Sequence, residues 1–136
     1  MRAVRGKDTV PEITIRKAAH RLGLRFRLHG RGLPGRPDLV FRKWKTVIFV
    51  NGCFWHRHPG CKRTTIPKTN ADFWIRKFDI NVRRDAANHA RLVHLGWRVV
   101  VVWQCQVKTL EEATAVIRRT FFNHGRQKGR TLSDYS

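Results

Sequence analysis

Residues 97–103, Trp-Arg-Val-Val-Val-Val-Trp, constrain the fold of this chain more than any other stretch. A β-branched run without polar alternation is a strand covered on both faces. Such a strand needs a layer above and a layer below, so the chain must build a sheet between helices. The other patterns supply the parts. Thr9-Val10-Pro11-Glu12 has the form of a capping box, and Ile15, Ala18, Ala19 and Leu22 follow at helical spacing up to Gly23. This predicts a helix over residues 10–22. Leu24 to His29 alternates apolar residues with Arg and reads as a half-buried strand. Gly30 to Pro37, with three Gly and two Pro, is a loop. Asp38–Phe41 and Thr46–Val50 read as two paired strands joined by the basic turn Arg42 to Lys45.

Asn51 to Asn70 loses all periodicity and holds two Cys, two His, two Pro and two Gly, an irregular insertion. A long helix is expected from near Asp72, capped by Thr69 or Asn70, with apolar positions at Phe73/Trp74, Phe78, Val82, Ala86, Leu92 and Leu95; the period weakens around Asp79 to Asn81, where a kink or break would be no surprise, and Gly96 ends it. Leu110 to Phe122 is a final amphipathic helix before a polar tail. The order α-β-β-β-α-β-α around one mixed sheet is an α/β, α+β-like arrangement. The 136 residues suit a single domain, 1–136, with 1–8 and 123–136 expected to be flexible.

Lys and Arg number 29 against 9 Asp and Glu, a net charge of +20. A field of that size points to nucleic acid, because each neutralised phosphate releases counterions. A membrane surface is the weaker partner. The basic residues are spread through the chain rather than gathered on one helix or tail, no apolar run approaches the roughly 20 residues that span a bilayer, and a cytoplasmic protein is expected.

Cys53, Cys61 and Cys105 are the only cysteines, and His56 and His58 lie between the first two. Zinc takes four ligands in a tetrahedron, commonly three Cys and one His. Cys53, His58, Cys61 and Cys105 satisfy that count, although buried cysteines are otherwise ordinary small hydrophobes. Asp38 opens an apolar strand straight after a Gly/Pro loop. It is placed to hold Mg2+, which takes oxygen ligands, or only to cap its own turn. A second acid on the next strand is missing, since Val50-Asn51-Gly52 stands there, so the Val50 carbonyl is the candidate second ligand. His56 is the candidate general acid or base. The rings of Phe54-Trp55 and Phe73-Trp74 are candidates for a wedge between base steps, or for a small satellite core over the cysteine loop. Trp44 faces DNA or only the surface, while Trp97 and Trp103 belong to the strand core. Glu12 is equally a capping-box residue, and Asp85 equally a helix salt-bridge partner. His20, His29, His89 and His94 belong to no cluster and read as surface or packing residues.

Leu33-Pro34-Gly35-Arg36-Pro37-Asp38, followed by Val47-Ile48-Phe49-Val50-Asn51-Gly52-Cys53-Phe54-Trp55-His56, closely resembles the very-short-patch-repair (Vsr) DNA mismatch endonucleases. Arg5 to Thr9 with Pro11-Glu12, Phe73-Trp74, Asn81 to Asp85, and Gly96-Trp97-Arg98-Val99 with Trp103 match as well, so the resemblance covers about residues 2–120. It implies a restriction-endonuclease-like core with a zinc-stabilised loop, and a strand-specific, Mg2+-dependent nick 5′ to the T of a T:G mismatch. It implies Asp38 and the Val50 carbonyl as Mg2+ ligands, and His56 as the catalytic histidine. Glu12 becomes a supporting acid and Asp85 the partner that orients the histidine. Phe54, Trp55 and Trp74 match the wedging rings, and Cys53, His58, Cys61 and Cys105 match the zinc ligands. Asn51 stands where the best-known members carry a second histidine, and the chain begins almost directly at the Arg-Gly-Lys-Asp-Thr segment. The implied partner is double-stranded DNA with a T:G mismatch, bound by a monomer, with repair-pathway proteins beyond it. The rival readings are a non-cleaving, zinc-stabilised binder of distorted DNA and a nicking or restriction endonuclease acting on matched DNA.

Overall fold

The computed structural model describes residues 9–122, and the expected flexible ends at 1–8 and 123–136 lie outside them. The elements run α1 (Val10–Arg21), β1 (Arg27–Leu28), β2 (Leu39–Phe41), β3 (Thr46–Asn51), α2 (Ala71–His94), β4 (Arg98–Trp103) and α3 (Leu110–Phe122). One mixed sheet has the order β1-β2-β3-β4. β2 and β3 form an antiparallel hairpin with Leu39 opposite Ile48, through a 3-10 turn at Arg42–Trp44. β3 and β4 run parallel, from Thr46 opposite Arg98 to Asn51 opposite Trp103. A parallel pair needs a long crossover, and α2 with the irregular segment before it provides one.

Side chains alternate between the two faces, as a strand period of two requires. Leu39, Phe41, Ile48, Val100 and Val102 face α1 and α3 and pack with Ile15, Ala18, Ile117 and Phe121. Val40, Val47, Phe49, Val99, Val101 and Trp103 face the other way, against Leu92 and Cys53. β4 is therefore covered on both sides, as its composition requires. The second cover is thin. Of the 24 residues of α2, only Phe78, His89 and Leu92 are buried, so the irregular loop must complete that layer with little apolar surface of its own.

Several expectations change. The strand expected over 24–29 shrinks to Arg27–Leu28, both exposed. Leu24 is buried because the chain turns at Gly23 and the Leu24 amide donates to the Ala19 carbonyl at 3.0 Å. A short charged edge strand resists pairing with another chain. The capping box does not form: Thr9 makes no side-chain cap bond, and Glu12 is only 2% exposed. α2 does not break at 79–81. It is continuous, with an Asp79–Arg83 pair at 3.1 Å one turn apart, and its N-cap is Asn70 in a left-handed conformation at φ 58°. Trp44 packs on Phe121 and Phe122 at centroid distances of 5.3 and 6.1 Å. Trp97 precedes β4, half-buried, with the Lys45 ammonium 4.4 Å from its ring.

Candidate active site

The candidate residues converge because of topology. β3 and β4 end side by side at Asn51 and Trp103, and antiparallel β2 begins beside them, just after Asp38. The carboxyl ends of parallel strands are where open sheets place their ligands.

Asp38 Oδ2 accepts the Val50 amide at 2.6 Å, which ties the start of β2 to the end of β3. Its carboxyl is pushed up to about 8, mainly by burial, then by a hydrogen bond and like charge from Glu12; the Val50 amide and Arg16 pull the other way. Glu12 in turn accepts from Arg16 Nη2 at 3.2 Å. Glu12 thus adds to the cost of ionising Asp38. Their oxygens are the donor set a hard divalent ion takes. Glu12 thus belongs with Asp38 and not with the helix cap. His29, expected to stand alone, lies here too, with Nε2 3.9 Å from Glu12 Oε1 and 3.4 Å from Arg16 Nη2.

Beyond β3 the chain winds into one tight turn. The His56 amide bonds back to Gly52 at 3.1 Å, and the His58 amide to Cys53 at 3.0 Å. Arg57 adopts φ 56° between them. This is the six-to-one closure, with a left-handed penultimate residue, that ends many helices. The turn presents Phe54, Trp55 and His56 between Cys53 and His58. His56 Nδ1 donates to Asp85 Oδ2 of α2 at 2.6 Å, so Asp85 reaches across the loop instead of pairing along its helix. His89, one turn further, is buried against Phe49 at 4.6 Å between centroids, and burial lowers its basicity.

The ligand atoms of Cys53, His58, Cys61 and Cys105 all lie within 4.8 Å of one another. His58 Nδ1 is 3.4 Å from Cys105 Sγ, and its ring stacks on Trp103 at 4.3 Å and 11°. All three cysteines are free thiols. Burial pushes the Cys53 thiol up to about 12. The Arg63 amide leads the groups that bring Cys61 down to about 7. Three thiols and one imidazole at this spacing are a donor set that would hold a zinc ion, and a bound dication would ionise all three thiols. Cys105 follows the buried β4, so the cluster pins the loop to the sheet.

The rings form one cluster. Phe54 meets Trp55 at 5.0 Å and Phe78 at 5.1 Å, while Trp74 meets Trp55 at 5.8 Å and Phe78 at 5.7 Å. Phe73 is 51% exposed and touches Trp74. Phe78 is the buried anchor of the group. Two further contacts carry no sequence signal: Gln104 Oε1 accepts the Cys53 amide at 3.0 Å, and Arg57 lies over the Phe78 ring at 3.9 Å. Asn51 is buried at the end of β3.

The family model described as DNA mismatch endonuclease Vsr matches residues 1–63. The chain is 47% identical over 118 residues to a type II nicking enzyme of Xanthomonas oryzae pv. oryzae, covering 87% of this chain and 86% of the relative. It is 42% identical over 114 residues to the DNA mismatch endonuclease Vsr of Escherichia coli, covering 84% and 72%. A type II nicking enzyme of Neisseria meningitidis is 42% identical over 108 residues, covering 79% and 76%.

Proposed function

The chain belongs to the Vsr family of DNA mismatch endonucleases, and from that premise we propose that it nicks one strand of duplex DNA 5′ to the T of a T:G mismatch, by Mg2+-dependent hydrolysis of the phosphodiester. The supporting observation is the His56–Asp85 pair, held at 2.6 Å within a turn that also carries Phe54 and Trp55. An oriented base and an apolar wedge on the same few residues couple recognition of a distorted step to cleavage beside it.

In this reading Asp38 and the Val50 carbonyl hold the Mg2+, with Glu12 as the supporting acid. When bound, the ion stabilises the negative charge that grows on the phosphate. Asp85 accepts the His56 Nδ1 proton, which fixes the ring orientation and leaves Nε2 for chemistry. There His56 takes a proton from the attacking water or gives one to the leaving oxygen. Asn51 can hydrogen-bond a phosphate, but it cannot shuttle a proton near neutral pH. Zinc on Cys53, His58, Cys61 and Cys105 is structural. It closes the turn between its first two ligands.

Phe54, Trp55 and Trp74 enter beside the mispair, where opening the stack costs least. The net charge of +20 supplies the sequence-independent hold on the phosphates. One domain acting as a monomer suffices for a single nick. No described helix is long and apolar enough to cross a membrane.

The nicking-enzyme names of relatives favour a second reading, nicking of matched DNA. End-labelled duplexes that differ only by T:G in place of C:G, incubated with Mg2+ and run on denaturing gels, separate the two. One cut on the T strand of the mismatched duplex alone is expected. Equal cutting of matched DNA would replace the mismatch reading with the second, and tight mismatch binding without a cut would favour a non-cleaving binder.

A further inference from the structure

Arg57 lies between the candidate catalytic His56 and the zinc-site His58, where a strongly basic protein has reason to offer a guanidinium to phosphate. The side chain turns inward instead. Its Cζ lies 3.9 Å from the Phe78 ring centroid and 5.4 Å from that of Phe54. Nη1 donates to the Phe54 carbonyl at 3.2 Å and to the Thr65 carbonyl at 2.9 Å. Its φ of 56° is a conformation that glycine or asparagine takes more readily. Glycine would satisfy the turn alone, so the guanidinium supplies something the turn does not need.

What it supplies is a junction. One planar cation joins the turn that carries Phe54 and Trp55, the segment leading into α2, and Phe78, the buried member of the ring cluster on α2. Phe78 also contacts Trp74 at 5.7 Å, so all three rings proposed to wedge are referenced to the same point. Rings that must enter a base step discriminate best when they are ordered before binding, because ordering them on binding subtracts from the affinity gained.

We infer that Arg57 is a positioning residue for mismatch specificity: it holds the Phe54–Trp55–Trp74 rings in register from behind and makes no phosphate contact of its own. The inference rests on the wedge reading of those rings. Lys cannot replace it. An ammonium neither stacks as a plane nor offers the rigid fork of donors that guanidinium does.

The test compares wild type with Arg57→Lys and Arg57→Asn, the second chosen because asparagine tolerates the left-handed backbone. Affinity for a T:G duplex and for its C:G counterpart is measured over a range of salt, and the zinc content of each protein is checked. Both variants should keep their zinc, their matched-duplex affinity and their salt dependence, and should lose about tenfold in the ratio of mismatched to matched affinity. A salt slope for Arg57→Asn shallower by about 0.9 would mark a phosphate contact and overturn the inference. Loss of zinc from both variants would also overturn it, by making Arg57 part of loop closure. Phe54→Ala with Trp55→Ala runs alongside. An unchanged ratio there removes the wedge reading, and the role of Arg57 with it. A narrowed ratio there, with an unchanged ratio in the Arg57 variants, overturns the role of Arg57 alone.

Discussion

Asp85 Oδ2 stands 2.6 Å from His56 Nδ1, an ion-pair distance that bridges α2 and the turn after β3. A carboxylate on one ring nitrogen fixes the tautomer and makes the other nitrogen the better proton acceptor. Asp85→Asn keeps the size and loses the charge. Its single-turnover cleavage of mismatched duplex should fall about a hundredfold, with binding within about twofold of wild type. His56→Ala should fall at least as far, and the double variant no further than His56→Ala, because the two residues act as one unit. Full-rate cutting by Asp85→Asn would reduce the pair to a tether for the loop.

The Asp38 carboxyl, raised from 3.8 to about 8, predicts a stability profile as well as an activity. A carboxyl with a higher pKa folded than unfolded holds its proton more tightly in the fold. Its burial therefore costs nothing below pH 3.8, costs progressively more as pH rises towards about 8, and carries its full cost above that. Asp38→Asn removes the cost, because its carbonyl can still accept from the Val50 amide and its amide can donate to Glu12. Without divalent ions the variant should match wild type near pH 4 and exceed it by about 1–3 kcal/mol at pH 8 in urea unfolding. Mg2+ should narrow the gap, and cleavage should be lost at every pH. A flat difference between the two pH values would mean that burial does not raise the Asp38 carboxyl.

How far these features were legible depended on distance along the chain. β4 could be read from its own residues, because Val99 to Val102 leave no polar face. The zinc set could be read by counting, because Cys53 and Cys61 sit in a segment with no core of its own. Glu12 was ambiguous for a physical reason: a Thr followed three residues later by Glu is the same pattern whether the carboxyl turns back to the helix end or outward. What decides it is Asp38, brought in by the β2–β3 hairpin. The contacts of His29 and Arg57 have no local signature. His29 is placed by the edge of the hairpin, and Arg57 by the rings of a helix that starts fourteen residues later at Ala71. The continuity of α2 was missed because apolar periodicity lapses at 79–81, while an exposed helix can be held there by ion pairing.

Cys105→Ser should remove zinc, lower Tm, and abolish both cleavage and the preference for mismatched duplex. Cys53 and His58 close the turn that carries Phe54, Trp55 and His56, so a metal held there would support the proposed recognition and chemistry together. Wild type should hold about one zinc per chain. In the metal-free protein Cys61, brought down to about 7, should be alkylated well before Cys53, pushed up to about 12, and zinc should protect both. A folded, cleaving protein without zinc would exclude this role for the cluster.

Gly35 in the loop before Asp38 has φ 75°, and a Cβ there would stand 3.0 Å from Asn88 Cβ on α2. The loop is therefore pressed against the helix that carries Asp85, and a side chain there would require Asn88 to give way. Gly35→Ala should cost about 1–3 kcal/mol from backbone strain together with the contact. Adding Asn88→Gly should relieve the contact and leave the strain, and would restore only part of the loss once the helix cost of glycine is subtracted by measuring Asn88→Gly alone. Full restoration in denaturant unfolding would show that the positive φ costs nothing.

Asn51 closes β3 opposite Trp103 and is 6% exposed, next to the Val50 carbonyl proposed as a Mg2+ ligand. An amide offers hydrogen bonds at fixed polarity across the whole working pH range. In the proposed mechanism that leaves proton transfer at the phosphate to His56. Asn51→Ala should slow single-turnover cleavage by about ten- to a hundredfold, the size expected for one lost hydrogen bond to a charged group, with binding to mismatched duplex within about twofold of wild type. Full-rate cutting by Asn51→Ala would show that the end of β3 takes no part in the reaction.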